Sequence, residues 1–131
     1  MLYVGDIGEI GPSPTATDDD SIKRLDAQTG AYLGTLVPPN SADDLIGPAG
    51  MVVHGQDLYV ANQNTFQPLP SSVLRYSAVT GALLQRVVPA QIDGKDNRDA
   101  PFASRGMVLW SDSNLFVATS SATITAPPER C

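Results

Sequence analysis

Residues 22–38, IKRLDAQTGAYLGTLVP, and residues 73–89, VLRYSAVTGALLQRVVP, are the two stretches that decide the fold. They align without a gap at an offset of 51, and 8 of the 17 positions are identical. In each copy two short apolar runs flank a turn that ends in Thr-Gly, where glycine can adopt a positive φ. The chain therefore contains an internal repeat whose unit includes a β-hairpin.

Shorter matches extend the repeat beyond these stretches. Residues 50–53, GMVV, match residues 106–109, GMVL, at an offset of 56. Residues 58–61, LYVA, match residues 115–118, LFVA, at an offset of 57, and LYVG at residues 2–5 is a third copy. A unit of about 50 to 57 residues lies in the range that is typical of repeat arrays such as propellers and solenoids.

The apolar runs inside each unit predict β-strands, because they are short, rich in Val, Leu, Ile and Tyr, and bounded by Gly, Asp, Asn or Pro. A helix over residues 72–88 is the alternative. Gly81 lies in its middle and the other copy places Gly30 and Gly34 there, so strands are favoured. The predicted fold class is all-β, built of four-stranded antiparallel meanders. The predicted strands cover residues 2–6, 21–26, 31–37, 50–54, 57–62, 72–77, 82–88, 106–110 and 114–119.

Composition agrees with this fold class and excludes several kinds of function. Of 14 acidic residues 12 are Asp, and Lys occurs twice, so charged residues that favour helices are scarce. The net charge of −6, with eight scattered basic residues, argues against nucleic acid as a partner. No apolar run reaches the roughly 20 residues of a membrane span. The single cysteine, Cys131, allows no internal disulfide.

The sequence leaves the localisation unknown. The chain is expected to be soluble, and its first residues lack the basic and apolar regions of a signal peptide. Secretion or a periplasmic location is expected only if the N-terminus is truncated.

The segment GMVVHGQDLYVAN at residues 50–62, followed by VLRYSAVTGALL at residues 73–84, resembles the NHL-type and related six-bladed β-propeller repeats. Those repeats combine a glycine-led apolar strand, an LYVA strand and a hairpin ending in Thr-Gly. The resemblance implies that residues 1–131 are part of a β-propeller of about two and a quarter blades. Its ring is incomplete, so we expect either a fragment of a larger propeller or a ring shared by several chains. The repeat units cover roughly residues 1–49, 50–105 and 106–131.

The candidate ligand residues follow the three LYVA-type segments, and they are Asp6, Asn62 and Thr119. The resemblance implies that strand ends near a propeller's channel can place such oxygen-bearing side chains around a ligand or Ca²⁺. The favoured alternative is that each is a short polar residue that ends a strand and stabilises the next turn. Because a site of this kind needs the other blades, Ca²⁺ is conceivable only in a complete propeller. No cofactor, metal site or catalytic residue is predicted for this chain.

Other polar clusters are interpreted as structural. Asp18-Asp19-Asp20 is predicted to be a solvated turn before a strand, since consecutive side chains of an extended chain point apart. Residues 93–99, DGKDNRD, have Lys95 and Arg98 where an EF-hand needs a ligand and glycine, so they are no calcium loop. His54 aligns with Trp110, which predicts a packing position at the end of a strand.

The function favoured by these observations is a non-enzymatic propeller module that binds a protein or a glycan. Its partner would contact the irregular loops at residues 7–20, 38–49, 63–71 and 89–105. The first alternative is part of a six-bladed lactonase or lyase with a metal in its channel. The second is a self-assembling repeat protein whose incomplete blades leave apolar faces exposed. Those faces are expected to include Tyr3, Val4, Val108 and Phe116.

Overall fold

The structure, a computed structural model, describes residues 1–6, 20–39, 45–63, 70–101, 104–111 and 114–119. Within them the chain forms eleven strands and no helix, so this part of the chain contains no helix that could span a membrane. The strands are β1 Leu2–Asp6, β2 Ser21–Leu25, β3 Tyr32–Val37, β4 Pro48–His54, β5 Asp57–Asn62, β6 Ser72–Ser77, β7 Leu83–Val88, β8 Gln91–Ile92, β9 Lys95–Asp96, β10 Met107–Trp110 and β11 Asn114–Val117.

The all-β prediction is confirmed. All nine predicted strands are present, and their ends differ from the predicted ends by at most two residues. Residues 72–88 form two strands and a turn instead of a helix. The short pair β8 and β9 was not predicted, because strands of two residues are too short to produce an apolar run.

The strands form three successive antiparallel sheets and one separate hairpin. The first sheet has the order β1-β2-β3, the second β4-β5-β6-β7 and the third β10-β11, while β8 and β9 pair only with each other. Every neighbour in a sheet is also a neighbour in the chain, so the first two sheets are meanders and the third is a hairpin. The connections β2-β3, β4-β5 and β6-β7 are short, as the predicted hairpins require, whereas β1-β2 and β5-β6 are joined by the longer segments 7–20 and 63–71.

The turns that join β2 to β3 and β6 to β7 are built alike. Asp26 Oδ1 accepts hydrogen bonds from the backbone amides of residues 28 and 29, both at 2.8 Å. Ser77 Oγ accepts them from the amides of residues 79 and 80 at 3.2 and 3.1 Å. Each turn then ends at a glycine of positive φ, with φ of 74° at Gly30 and 78° at Gly81. The amides of Thr29 and Gln28 also hold the pKa of the Asp26 carboxyl below its ordinary value.

Irregularities in strand pairing also repeat. The register between β2 and β3 shifts after Ile22 and again after Arg24. The register between β6 and β7 shifts after Val73 and after Arg75, which are the same positions at the offset of 51. A β-bulge bends a strand and increases its twist, so the two sheets share a local shape as well as a sequence.

The apolar core lies between the first and second sheets. Tyr3 packs against this core from β1, and its hydroxyl donates a hydrogen bond to the carbonyl oxygen of Ala78 at 3.2 Å. Because large apolar side chains from both sheets meet here, the core fixes one sheet on the other. The buried members are Ile22, Leu36, Val37, Leu45, Leu58, Val60, Leu74, Tyr76 and Ala78.

Close backbone contacts at glycines bring the sheets together. β4 packs against β1 and also against β10. A Cβ on Gly5 of β1 would lie 2.6 Å from the carbonyl oxygen of Pro48 in β4. A Cβ on Gly50 of β4 would lie 2.9 Å from Gly106 Cα and closer still to the carbonyl oxygen of Arg105, next to β10. Glycine at these two positions is therefore what permits the observed separation of the sheets.

Candidate functional site

The three candidate ligand residues occupy three different environments. Asp6 is the last residue of β1, Asn62 is the last residue of β5, and Thr119 lies two residues beyond the end of β11. Asp6 and Asn62 occupy matching places in the first and second sheets, since Asp6 pairs with Ser21 and Asn62 with Ser72. What each side chain binds decides what it can do.

Asp6 forms an ion pair. Lys23 Nζ donates a hydrogen bond to Asp6 Oδ2 at 2.8 Å, between neighbouring strands of the first sheet. The two side chains remain 25% and 35% exposed, for Lys23 and Asp6 respectively, so water screens their attraction. A pair of this kind contributes about 0 to 1 kcal/mol to stability. Part of the Asp6 carboxylate is thus already bound to a cation of the protein itself.

Asn62, at the end of β5, is fully buried and binds both the segment before β4 and the first residue of β6. Its Oδ1 accepts a hydrogen bond from the backbone N–H of Ile46 at 2.7 Å. Its Nδ2 donates to Ser72 Oγ at 3.0 Å. Both ends of the amide therefore bind protein groups, as a buried polar side chain requires. This arrangement fixes the chain where it enters β4.

Asp20, which lies just before β2 of the first sheet, also binds the segment that precedes β4. The sequence did not indicate this role. Asp20 has a φ of 59°, and its Oδ1 accepts a hydrogen bond from the N–H of Gly47 at 2.7 Å. The carbonyl oxygen of Gly47 accepts one from the N–H of Gln63 at 3.0 Å. Asp20 is the last residue of the acidic triplet, so part of that triplet connects two sheets. Asp18 and Asp19 lie outside the described residues.

Thr119 is exposed. Among the residues that the structure describes, no three His, Cys, Asp or Glu side chains are grouped as ligands of a metal ion would be. Asp6 Oδ2 binds Lys23 Nζ, and Asn62 Oδ1 binds the backbone amide of Ile46.

The predicted packing at the ends of β4 and β10 is found only in part. His54 is half-buried and lies opposite Asp57 in the pair β4-β5. Trp110, its repeat equivalent, is 66% exposed. The expectation of a packed side chain is therefore wrong for Trp110, because among the described strands β10 pairs with β11 and contacts β4, and neither covers this side chain.

Residues 89–97 form a small projecting structure in one of the loops predicted to contact a partner. β8 and β9 are joined by Asp93 and Gly94, whose φ angles of 53° and 75° are those of a type I′ turn. All six residues from 91 to 96 are exposed. At its base, Asn97 Nδ2 donates to the carbonyl oxygen of Pro89 at 2.8 Å, and the N–H of Asn97 donates to that of Ala90 at 2.8 Å. We call residues 91–96 the projecting hairpin.

The third sheet exposes an apolar face. Val108 and Phe116 lie opposite each other across β10 and β11, and they are 58% and 61% exposed. Trp110 lies on the same face, since alternate residues of a strand point the same way. An open apolar pocket of about 440 Å³ lies at one end of this sheet, lined by Gly106, Met107, Val108, Phe116, Val117 and Ala118. We call Gly106, Val108, Trp110, Phe116 and Ala118 the apolar face of the third sheet.

The expected exposure is confirmed for Val4, Val108 and Phe116 and is wrong for Tyr3. Tyr3 is half-buried and packs against the core, because its side chain points from β1 toward the second sheet.

No protein-family model matches this chain, and comparisons with curated proteins and with solved structures find no match either.

Proposed function

We propose that this chain is a β-propeller-type repeat module that acts as a non-enzymatic, protein-binding scaffold, and that the projecting hairpin is its binding element. The observation that carries the binding proposal is the hairpin itself, a fixed protrusion whose six residues are all exposed. Binding residues are commonly placed on loops that a rigid scaffold holds in position.

Three observations support the repeat-module part of the proposal. The first two sheets are successive meanders, β4 contacts both neighbouring sheets, and the turns and bulges of the first two sheets recur at an offset of 51. A propeller is a stack of such meanders in which each sheet covers the next. In this arrangement the loops between sheets project together at the ends of the strands, and residues 89–101 form such a loop.

The hairpin has the properties of a protein-binding element. Ile92 is 53% exposed and supplies an apolar contact, with the charged residues Asp93, Lys95 and Asp96 around it. Gln91 Nε2 donates to Asp96 Oδ1 at 3.1 Å across the two strands. A loop already held in one conformation loses little entropy on binding, which favours affinity. An extended peptide can also pair as an additional strand with one of its short free edges.

A protein is favoured over a glycan as the partner. Residues 91–96, QIDGKD, contain no aromatic side chain on which a sugar ring could stack. They do offer backbone edges and one exposed aliphatic side chain, which are groups that peptide recognition uses.

A phage-displayed library of extended peptides, panned against the full chain, tests the proposal, with a glycan array as the parallel probe. We expect peptides to be enriched and their affinity to fall at least about tenfold, or 1.4 kcal/mol, in Ile92→Asp. The matched control is Val79→Asp, because Val79 is an exposed apolar residue of another turn, at 61% exposure. Binding that is insensitive to Ile92→Asp, or ligands found only on the glycan array, would contradict the proposal.

A second pair of variants tests whether the fixed shape of the hairpin matters. Gly94 has a φ of 75°, and a Cβ there would meet no atom within 4 Å. Gly94→Ala therefore strains the backbone without blocking the surface, while Gly94→Asn tolerates the positive φ better. We expect peptide binding to weaken in Gly94→Ala and to be largely kept in Gly94→Asn. Equal affinities in both variants would show that the turn geometry is irrelevant.

A further inference from the structure

Two glycines with the same local sequence have different surroundings. Gly50 and Gly106 each begin a Gly-Met-Val segment at the offset of 56. A Cβ on Gly50 would collide with the backbone of Arg105 and Gly106, whereas a Cβ on Gly106 would meet no atom of the described residues within 4 Å. Within the described part of the chain, the close approach at Gly50 thus has no counterpart at Gly106.

The space beside Gly106 is lined by apolar residues. The pocket of about 440 Å³ is lined by Gly106, Val108, Phe116 and Ala118 of the apolar face, and also by Met107 and Val117. Val108, Trp110 and Phe116 leave much apolar area in water, which is the usual mark of an interaction surface. The occupant that fits is an apolar sheet face that can cover Val108, Trp110 and Phe116.

The first sheet offers a complementary surface. Leu2 and Val4 are 47% and 38% exposed, while Tyr3 between them is half-buried against the core. By strand alternation, Leu2 and Val4 point away from the side occupied by Tyr3. One end of the chain therefore presents an apolar face with a glycine at its edge, and the other presents an apolar face of β1.

We propose that a second copy of this chain docks with the outward side of its first sheet, at Leu2 and Val4, on the apolar face of the third sheet. The contact continues between two copies the packing that already joins β1 to β4 and β4 to β10 within one copy. It is head-to-tail, because the two surfaces differ, so it produces a ring or an open chain of copies. The inference rests on the repeat-module part of the proposed function and is independent of the projecting hairpin.

The first test is the molecular mass in solution. Sedimentation velocity is run from about 5 to 500 µM. The range extends to high concentration because interfaces below about 1,200 Å² are typical of weak, transient contacts. We expect the average mass to rise above 13.8 kDa with concentration. Val108→Glu should abolish association, and Val79→Glu is the control, because both are exposed valines of similar exposure, 58% and 61%. A monomer throughout this range would overturn the proposal.

A milder variant guards against loss of folding. Gly106→Ala adds one methyl group into open space, so the isolated chain should fold normally. In the complex that methyl group would lie inside the contact with the second copy, and we expect association to weaken at least about tenfold. Association as strong as in the unmodified chain would show that no close approach occurs at Gly106.

Mixing two variants tests the head-to-tail arrangement. Val4→Glu damages only the first-sheet surface and Val108→Glu only the third-sheet surface, so each alone should be monomeric. An equimolar mixture should form a dimer of one chain of each kind, because one intact surface remains on each partner. Association of Val4→Glu alone, or no dimer in the mixture, would overturn the arrangement.

Trp110 provides an optical measure at the same surface. It is the only tryptophan in the chain, so its emission reports on the third sheet. We expect a blue shift as the concentration rises, and none in Val108→Glu. Strong protection of Trp110 from iodide in a monomer would mean that the same chain covers this face, which would contradict docking of a second copy. None of these results depends on Ile92, so failure here leaves the peptide-binding proposal to its own test.

Discussion

Replacing Gly50 by alanine is the most direct test of how the sheets pack. The added Cβ would lie 2.9 Å from both the carbonyl carbon of Arg105 and Gly106 Cα, and nearer to the Arg105 oxygen. These are backbone atoms, which cannot rotate away as the end of a side chain can. The third sheet must move away from β4 to make room. Gly106→Ala is the matched control, because the same change there meets open space.

The expected magnitude follows from two effects. Inserting a methyl group into a packed interface costs about 1 to 3 kcal/mol. Replacing glycine by alanine also restricts the unfolded chain, which stabilises by about 0.4 to 1 kcal/mol where the native backbone permits it. The second effect is common to both variants, so the difference between them isolates the steric effect. We expect Gly50→Ala to be less stable than Gly106→Ala by about 1 to 3 kcal/mol.

The assay is urea denaturation followed by circular dichroism at low micromolar concentration. Both changes are made in the Val108→Glu background, so that association of copies does not add to the measured stability. With a slope of about 2 kcal/mol per M, the two midpoints should differ by roughly 0.5 to 1.5 M urea. Equal midpoints, or a lower midpoint for Gly106→Ala, would refute the close approach of β10 to Gly50.

Two further predictions concern side chains of the described residues. Asn62→Ala leaves the N–H of Ile46 and the hydroxyl of Ser72 without their partner, so urea denaturation should show a loss of about 2 to 4 kcal/mol, against a change within about 0.5 kcal/mol for the exposed Asn114→Ala. A neutral Asn62→Ala would mean that these bonds do not hold the entry to β4. For Asp26, an NMR titration should give a pKa below that of an unperturbed Asp carboxyl; its contribution to stability is present at neutral pH and is lost as the pH falls through the lowered value. Asp26→Ser, which copies Ser77, should retain the turn and remove that pH dependence, and an unchanged dependence would contradict the assigned amide hydrogen bonds.

The candidate site residues could be located from the sequence, but their partners could not. The repeat places Asp6 and Asn62 at equivalent strand ends, and the structure finds both there. Asn62 binds the amide of Ile46, 16 residues earlier in the chain, and Asp20 binds the amide of Gly47, 27 residues later. Such pairings depend on how separate sheets are placed in space, which no local pattern specifies.

The projecting hairpin did have a signal in the sequence. Asp93-Gly94 is a dipeptide typical of a type I′ turn, and the φ angles of both residues agree with it. The flanking strands have only two residues each, so no alternating apolar pattern surrounds the turn. The hydrogen bonds of Asn97 to residues 89 and 90 close the base of the hairpin and fix its conformation.

The sequence by itself determined the nine longer strands and the form of the repeated turns. These depend on neighbours within a few residues: the apolar runs, the Thr-Gly turn and the positive φ that Gly30 and Gly81 adopt. Only the tertiary structure decided which copy of a repeated residue is enclosed and which is exposed. Gly50 and Gly106 share a Gly-Met-Val sequence, yet the third sheet packs against Gly50 while none of the described residues crowds Gly106. Such crowding arises from contacts between residues far apart in the chain.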